Sequence, residues 1–524
     1  MEFVSDPSIA VKILKMKERV RWREPLIAER GIDQTRMILE DGWADSPEFS
    51  FLVVGDSGAG RQGGHNPQRR IAELMLEHRN DCRFVLHTGD VIYLVGSSEY
   101  YLENFIEPYR EFLVGGEQPK QVAYNRMVFN QPFLPVPGNH DYYDLPFVYG
   151  LMAQTTLPLR HLLRFQLDLA IGWHGSGQGR AYARAFLDYL KAFKAKEELS
   201  RHLDSHYTAK TDTGRCLVYQ PGHFTRLPNR YYTFRSGGID FFALDSNTFS
   251  APLPLAANRE GEDFRRHLEN RRDELEQEKR QILETCPGLS PDRPDEAEQL
   301  DDLRTRLTQI DEIKIDIDKQ LASDETTVTD LEQLDWLQQR LIESWNTTEV
   351  RGRVVYLHHP PYVTEATKWH QGQTLAIRHR LRRVLDAVSR AVGSRSSGRP
   401  LVDLFLSGHA HCLEYLRTGD TGHADSHLNW LICGGSGFSL RRQRSLGPEL
   451  LEFFGDNDSG HTREVARSLL YIGRNGHGLQ KRRPYTCLRI DVQDGRPPKF
   501  IVRPLIAERF QQQWSHSQVE PFVI

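Results

Sequence analysis

Cysteine is scarce: the 524-residue chain has six. They stand at 82, 216, 286, 412, 433 and 487, no two forming a CxxC pair. Such scatter argues against a disulfide framework and against a zinc knuckle, and it points to a reducing compartment. No uncharged apolar run reaches the roughly 18 residues of a spanning helix. The opening stretch, "MEFVSDPSIAVKILKMKERVRWREPL", has no apolar segment followed by small residues and so does not read as a secretory leader. A cytoplasmic protein with no membrane partner is expected. Neither charge sign is in excess, with 67 Lys and Arg against 71 Asp and Glu and a net charge of -4. That balance, with no basic stripe or aromatic platform, gives no reason to expect nucleic acid as a partner and sets a nuclease aside. Hydrophobic content of 39% and charged content of 26% suit a globular enzyme. The length exceeds what one core usually supports, so one large domain with insertions, or two domains, is expected.

What is present is a rhythm of short apolar runs that end in Gly, Asp, Asn or His. They are "FSFLVVGD" (49–56), "CRFVLHTGD" (82–90), "PFLPVPGNHD" (132–141), "GIDFFALDSN" (238–247), "GRVVYLHHPP" (352–361), "LVDLFLSGHAH" (401–411) and "NWLICGGSG" (429–437). Apolar on both faces, they read as buried central strands, with helices between them at 68–78, 331–343 and 375–392. The class is α/β. Two hairpins, "YYTFRSGGIDFFALD" (231–245) turning at Ser-Gly-Gly and "YTCLRIDVQDGRPPKFIVRPL" (485–505) turning at Asp-Gly, make the sheets mixed.

Two stretches break the rhythm. Residues 150–225 form an expected helical insertion around "AYARAFLDYLKAFKAKEELSRHL" (181–203). Residues 262–325 are strongly charged. There Leu268, Leu275 and Ile282 recur at heptad spacing, and past a Pro-rich loop so do Leu300, Leu307 and, with Lys314 intervening, Leu321, with Leu303, Ile310 and Ile317 beside them. A coiled-coil-like antiparallel helical hairpin follows. It reads as a surface insertion, or as an arm for a protein partner or self-association. The core is then expected at 48–261 and 326–440, flanked by an N-terminal extension (1–47) and a C-terminal extension (441–524) whose hairpin packs on it.

Each buried strand ends in metal-ligand chemistry: Asp56; Asp90 with Tyr93; Asn139 with His140; His358 with His359; His409 with His411. In an open α/β sheet the carboxyl ends of strands converge on one crevice. Any one of these residues alone is a common turn, cap or core histidine; the set together is not. A shared carboxylate between two metals, a second acid for one ion and neutral donors for the other would be the economical use of them.

The blocks Gly55 to Gly58, Gly89 to Tyr93, Gly138 to Asp141, His358 to Pro360 and Gly408 to His411 resemble, in order, those of the calcineurin-like metallophosphoesterases. Within that superfamily they resemble the purple acid phosphatases, particularly the small tartrate-resistant type. The resemblance covers roughly 48–145 and 230–440 outside the arm. It implies a four-layer α/β/β/α sandwich. Most of the superfamily has Asp-x-His in the first block. Purple acid phosphatases have glycine there and recover the donor from the tyrosine of the second, so Gly58 and Tyr93 read as one linked substitution. By the resemblance, Asp56, Tyr93 and His411 bind a first metal, Asp90 bridges, and Asn139, His358 and His409 bind a second. Hard, negative oxygen at the first site favours Fe(III); the second suits divalent Fe, Zn or Mn.

His140 is then expected to hydrogen-bond the phosphate or protonate the leaving group, with His370 as a second substrate histidine. His359, also two before a proline, competes with His358 and otherwise supports it; Asp141 and Asp245 read as structural acids. The implied activity is hydrolysis of phosphate monoesters, small phosphoesters as substrates, by in-line attack of a metal-bound hydroxide. The alternatives are a phosphodiesterase, or a scaffold acting through its helical arm.

Overall fold

The computed structural model describes residues 4–60, 65–145, 175–290, 292–454 and 461–524. Much of the first expected insertion, 150–174, lies outside them.

Two sheets face each other. In the seven-stranded sheet Phe49–Val54, Val85–His87 and Phe133–Pro135 run parallel, and Phe49–Val54 also pairs antiparallel with Arg482–Gln493, the first strand of the C-terminal hairpin. In the eleven-stranded sheet Ile239–Ala243, Gly352–Tyr356, Leu404–Ser407 and Asn429–Cys433 run parallel in that order. The expected hairpin at 231–245 forms, Tyr232–Ser236 pairing with Ile239–Ala243 around Gly237 and Gly238, both at positive φ. Strand alternation fills two cores at once. Val354 and Tyr356 point between the sheets, into a cluster with Phe51, Phe84 and Phe241. Val355 and Leu357 point outward against Leu337, Leu341, Leu381 and Leu385 of the helices Leu331–Asn346 and Gly372–Val392. Pro67–His78 covers the other sheet through Ile71 and Met75. The result is the α/β/β/α sandwich.

Both chain ends are part of the sheets and not additions to a finished core. Ile32–Leu39 lies between Gly214–Tyr219 and Tyr232–Ser236, and the C-terminal hairpin supplies the inner neighbour that Phe49–Val54 would otherwise lack. The helical run read at 181–203 is also broken, into Arg180–Phe186 and Lys196–His206. Between them Asp188 is buried; it bonds His202 Nε2 at 2.9 Å and accepts from Tyr207 Oη at 2.9 Å. These tertiary partners outweigh local helix propensity.

The charged arm is an antiparallel hairpin of Arg259–Thr285 and Pro294–Ala322. Its apolar cluster, with Leu275, Ile282, Leu307, Ile310 and Ile317 at its centre, consists of arm residues alone. Yet the second helix is not free of the body. Arg474, Lys481 and Arg483 hold Asp301, and Asp316 accepts the amides of Gly372 (2.9 Å) and Gln373 (3.1 Å) at the start of an outer helix.

Below the strand tips, Arg230 is buried between Asp245 (3.1 Å) and Asp330, and Tyr142 Oη donates to Asp245 at 2.7 Å. Asp245 thus ties down turns, as a structural acid does. Arg230→Met leaves two buried acids without their cation, and about 3–5 kcal/mol of stability is expected to disappear. Chemical denaturation reads it; a midpoint unchanged from wild type would count against that role.

Candidate metal centre

Five strand tips bring the sequence-derived residues to one place. Phe49–Val54, Val85–His87 and Phe133–Pro135 lead into Asp56, Asp90 and Asn139, whereas Gly352–Tyr356 and Leu404–Ser407 of the facing sheet lead into His358, His409 and His411. Asp56 (φ +54°), Asp90 (φ +53°) and His409 (φ +64°) all sit in the left-handed region, which costs a non-glycine residue on the order of 1–3 kcal/mol. Neighbouring donors hold them there: the His409 N–H donates to Asp56 Oδ2 (2.9 Å) and the His140 N–H to Asp90 Oδ1 (2.9 Å). Gly408 permits the approach, since a Cβ there would lie 2.4 Å from Asp56 Oδ2.

Two sets of atoms converge. In one, Tyr93 Oη lies 2.9 Å from Asp56 Oδ1, 2.7 Å from Asp90 Oδ2 and 3.1 Å from His411 Nε2. In the other, Asn139 Oδ1 lies 2.8 Å from His358 Nε2 and 3.0 Å from His409 Nδ1, and His358 Nε2 lies 3.4 Å from Asp90 Oδ2. The two sets share one atom, Asp90 Oδ2. Bonds of about 2.1 Å to a cation place adjacent octahedral ligands about 3.0 Å apart, the spacing seen here.

Electrostatics and tautomers also fit cations. Burial, reinforced by Asp90, pushes the Asp56 carboxyl up, and burial with the charges of Asp56 and Asp90 pushes the Tyr93 phenol well up. A positive ion among them would reverse both shifts. Burial lowers His358, but Asp90 overrides it and raises the imidazole to about 9. His358 Nδ1 faces Thr88 O (2.9 Å) and His411 Nδ1 faces Ser439 O (3.1 Å), so each ring donates outward, and in its neutral form, which for His358 means that a cation takes the place of the Nε2 proton, turns an Nε2 lone pair inward. His409 Nε2 contacts Lys368 Nζ (3.1 Å) and Gln373 Nε2 (3.2 Å). With both neighbours donating to Nε2, the proton of the neutral ring sits on Nδ1, toward Asn139 Oδ1, and ligation through Nδ1 requires it to move.

The link between Gly58 and Tyr93 is steric. A Cβ on Gly58 would meet Val91 O at 1.9 Å and Ile92 Cα at 2.6 Å, while Gly58 O accepts the Tyr93 N–H at 2.9 Å. The turn that delivers the phenol rests on the face where a side chain would stand. Tyr93 also stacks on Phe438, centroids 4.2 Å apart.

Among the remaining sequence candidates, His140 reaches the cleft. Its Nδ1 faces Leu94 O at 2.6 Å, leaving Nε2 for the cleft side, and its ring packs on Tyr93. His370 does not reach it. Trp369 is buried against Arg378 just before the helix Gly372–Val392 begins, so the next side chain, His370, turns outward and is exposed. Lys368, two residues earlier, enters the cleft instead. His359 bonds Ser246 Oγ (2.8 Å) and supports the His409 ring from 4.5 Å; with His358 and His409 it forms a compact buried trio. Asp141 accepts the amides of Gly138, Val91 and Ile92, and burial beside Asp90 pushes it up to about 7.

Reasoning from sequence missed Lys368, Gln373, and the arm residues Glu312, Asp316 and Lys319, all lining the cleft. The sequence marks this rim by one run of cations, "LRRQR" (440–444), whose Arg441 is buried and pairs with Glu312 at 2.8 Å. Among the described residues no helix is long and apolar enough to cross a membrane.

No curated protein matches the chain in sequence. Among solved structures the chain is similar to the purple acid phosphatase PPD1 from yellow lupin (Lupinus luteus) seeds, at 10% identity and a TM-score of 0.41. That match covers 92% of this chain and 54% of the lupin one, so the chain spans about half of its length. GAP50, described as the anchor in the inner membrane complex of Plasmodium, gives 11%, 0.37, and coverage of 90% and 89%. PhoD gives 12%, 0.38, and coverage of 92% and 70%. Residues 49–202 match the model of the calcineurin-like phosphoesterases.

Proposed function

We propose that the chain is a binuclear metal-dependent phosphoesterase acting on phosphate monoesters. The observation that carries the reading is the shared atom: Asp90 Oδ2 stands in both converging sets of donors. Asp56, Tyr93 and His411 would hold one cation, Asn139, His358 and His409 the other, and Asp90 both. Two carboxylates and a phenolate suit Fe(III) in the first position, and the amide and imidazoles suit divalent Fe, Zn or Mn in the second. When bound, such ions supply Lewis acidity and neutralise charge on the phosphoryl oxygens.

The chain's own groups do the rest. His140, fixed by Leu94 O, presents Nε2 to the cleft and can hydrogen-bond a phosphoryl oxygen, or in its protonated form pass a proton to the leaving group. Asp141 fixes the loop carrying Asp90 and Asn139 through three amides.

Elemental analysis of the purified protein, with a small phosphoester panel and an Asn139→Ala control, tests the reading; a metal-free protein that hydrolyses no ester would sink it. Tyr93→Phe is expected to remove the tyrosinate-to-iron charge-transfer band of the ferric form while leaving the fold intact. Visible absorption measures this. A band of full intensity in the variant would show that the phenol is no ligand.

A second reading, a scaffold that works through its arm, is favoured by one observation: the arm lies across the centre. The same panel separates the two.

A further inference from the structure

The second arm helix crosses the mouth of the centre, and Glu312 faces it. Glu312 Oε2 lies 3.0 Å from Lys368 Nζ and Oε1 lies 2.8 Å from Arg441 Nη2. Both cations are almost wholly buried, and each belongs to a residue bonded to one half of the donor set, Lys368 through its side chain and Arg441 through its backbone. Lys368 Nζ is 3.1 Å from His409 Nε2, and Arg441 is placed by its backbone N–H, which donates to His411 O at 2.9 Å, while its guanidinium also donates to Thr305 O at 3.0 Å. Despite its own burial, Glu312 is held well below the usual carboxylate range by Lys368 and Arg441.

Between arm and donors a cavity of about 20 Å³ remains. A single water needs about 10–15 Å³ by such a measure, so a phosphoester cannot enter while the arm is seated. Two buried cations aimed above a candidate dinuclear centre form a receptor for a tetrahedral dianion. The arm's carboxylate fills it.

We propose that Lys368 and Arg441 bind the phosphoryl group of a phosphate monoester, and that Glu312 is its intramolecular stand-in, displaced when the arm lifts. The inference rests on the phosphoesterase reading and adds to it the groups that select the substrate and the segment that admits it. The ion pairs of Asp301 with Arg474, Lys481 and Arg483 anchor the arm at one end, and the part over the centre is the part that can lift. The arm's apolar cluster is internal, whereas near the centre it touches the body through polar contacts: Glu312, Asp316 on two amides, and Lys319 on Asp6 at 2.7 Å. Lifting it exposes little hydrophobic surface.

The test uses the full chain, metal-replete, with inorganic phosphate as the probe. Hydrogen exchange of amides 305–320 in the wild type is expected to rise when phosphate is added. Glu312→Gln should raise that exchange without phosphate and tighten phosphate binding by about tenfold, since a neutral amide competes poorly for two cations. Lys368→Met and Arg441→Met should each weaken phosphate binding and raise KM by about tenfold with a smaller change in kcat, metal content being unaltered. Unchanged arm exchange in the wild type with saturating phosphate, at full metal content, overturns the inference and leaves the phosphoesterase reading standing. The same holds if Glu312→Gln binds phosphate no more tightly. Absence of bound metal overturns the phosphoesterase reading itself. The wild-type exchange measurement decides the matter even where a variant folds poorly.

Discussion

An Asp90→Asn protein is expected to lose about a thousandfold or more in phosphoester turnover, together with most of its bound metal. Asp90 Oδ2 is the atom common to both converging sets, and an amide puts either a weaker neutral oxygen or an NH2 group there. Folding should be spared. Asparagine tolerates the left-handed conformation found at φ +53°, and its side chain fills the same space. Turnover, elemental analysis and circular dichroism together make the prediction sharp: a folded variant with two metals and wild-type turnover would remove Asp90 from the centre.

The second large effect is expected from the smallest change. Gly58→Ala forces a methyl group into backbone, 1.9 Å from Val91 O and 2.4 Å from Val91 C, with no flexible side chain to give way. The turn 91–93 must shift, and Tyr93 with it. A displacement near 1 Å at a reacting centre costs on the order of a hundredfold, so kcat should fall by about that factor. The melting temperature should also drop, as overpacking typically costs about 1–3 kcal/mol. In a ferric preparation the tyrosinate band should weaken in parallel, which a purely destabilising change would not cause. A Gly58→Ala protein with an unaltered band and unaltered kcat would mean that the contact between the two blocks has no bearing on the centre.

How far the sequence could be read follows from where the signals are local. Asp56, Asp90, Asn139, His358 and His409 each close an apolar run, so strand, turn and donor announce themselves within ten residues. The pairing of Phe49–Val54 with Arg482–Gln493 has no such mark, because either strand reads the same whatever lies beside it. The arm divides in the same way. Heptad leucines foretell the hairpin, since they face its partner helix. Glu312, Asp316 and Lys319 occupy the other face, where charges ordinarily mean solvent, and nothing local says that this face meets a buried centre. His370 lies outside the cleft, which the sequence hides for a related reason: spacing along the chain cannot tell which of Lys368 and His370 points inward once buried Trp369 sets the direction.

The origin of the donors in two separate sheets bears on endurance as well as on chemistry. Asp56, Asp90 and Asn139 follow strands of one sheet, His358, His409 and His411 strands of the other, and residues 49–202 alone hold no more than the first half. A cation gripped from both sides would tie the two sheets together. The folded state would then gain roughly RT ln(1 + [M]/Kd) for each ion bound, so that scarcity of metal would loosen the protein as well as silence the site.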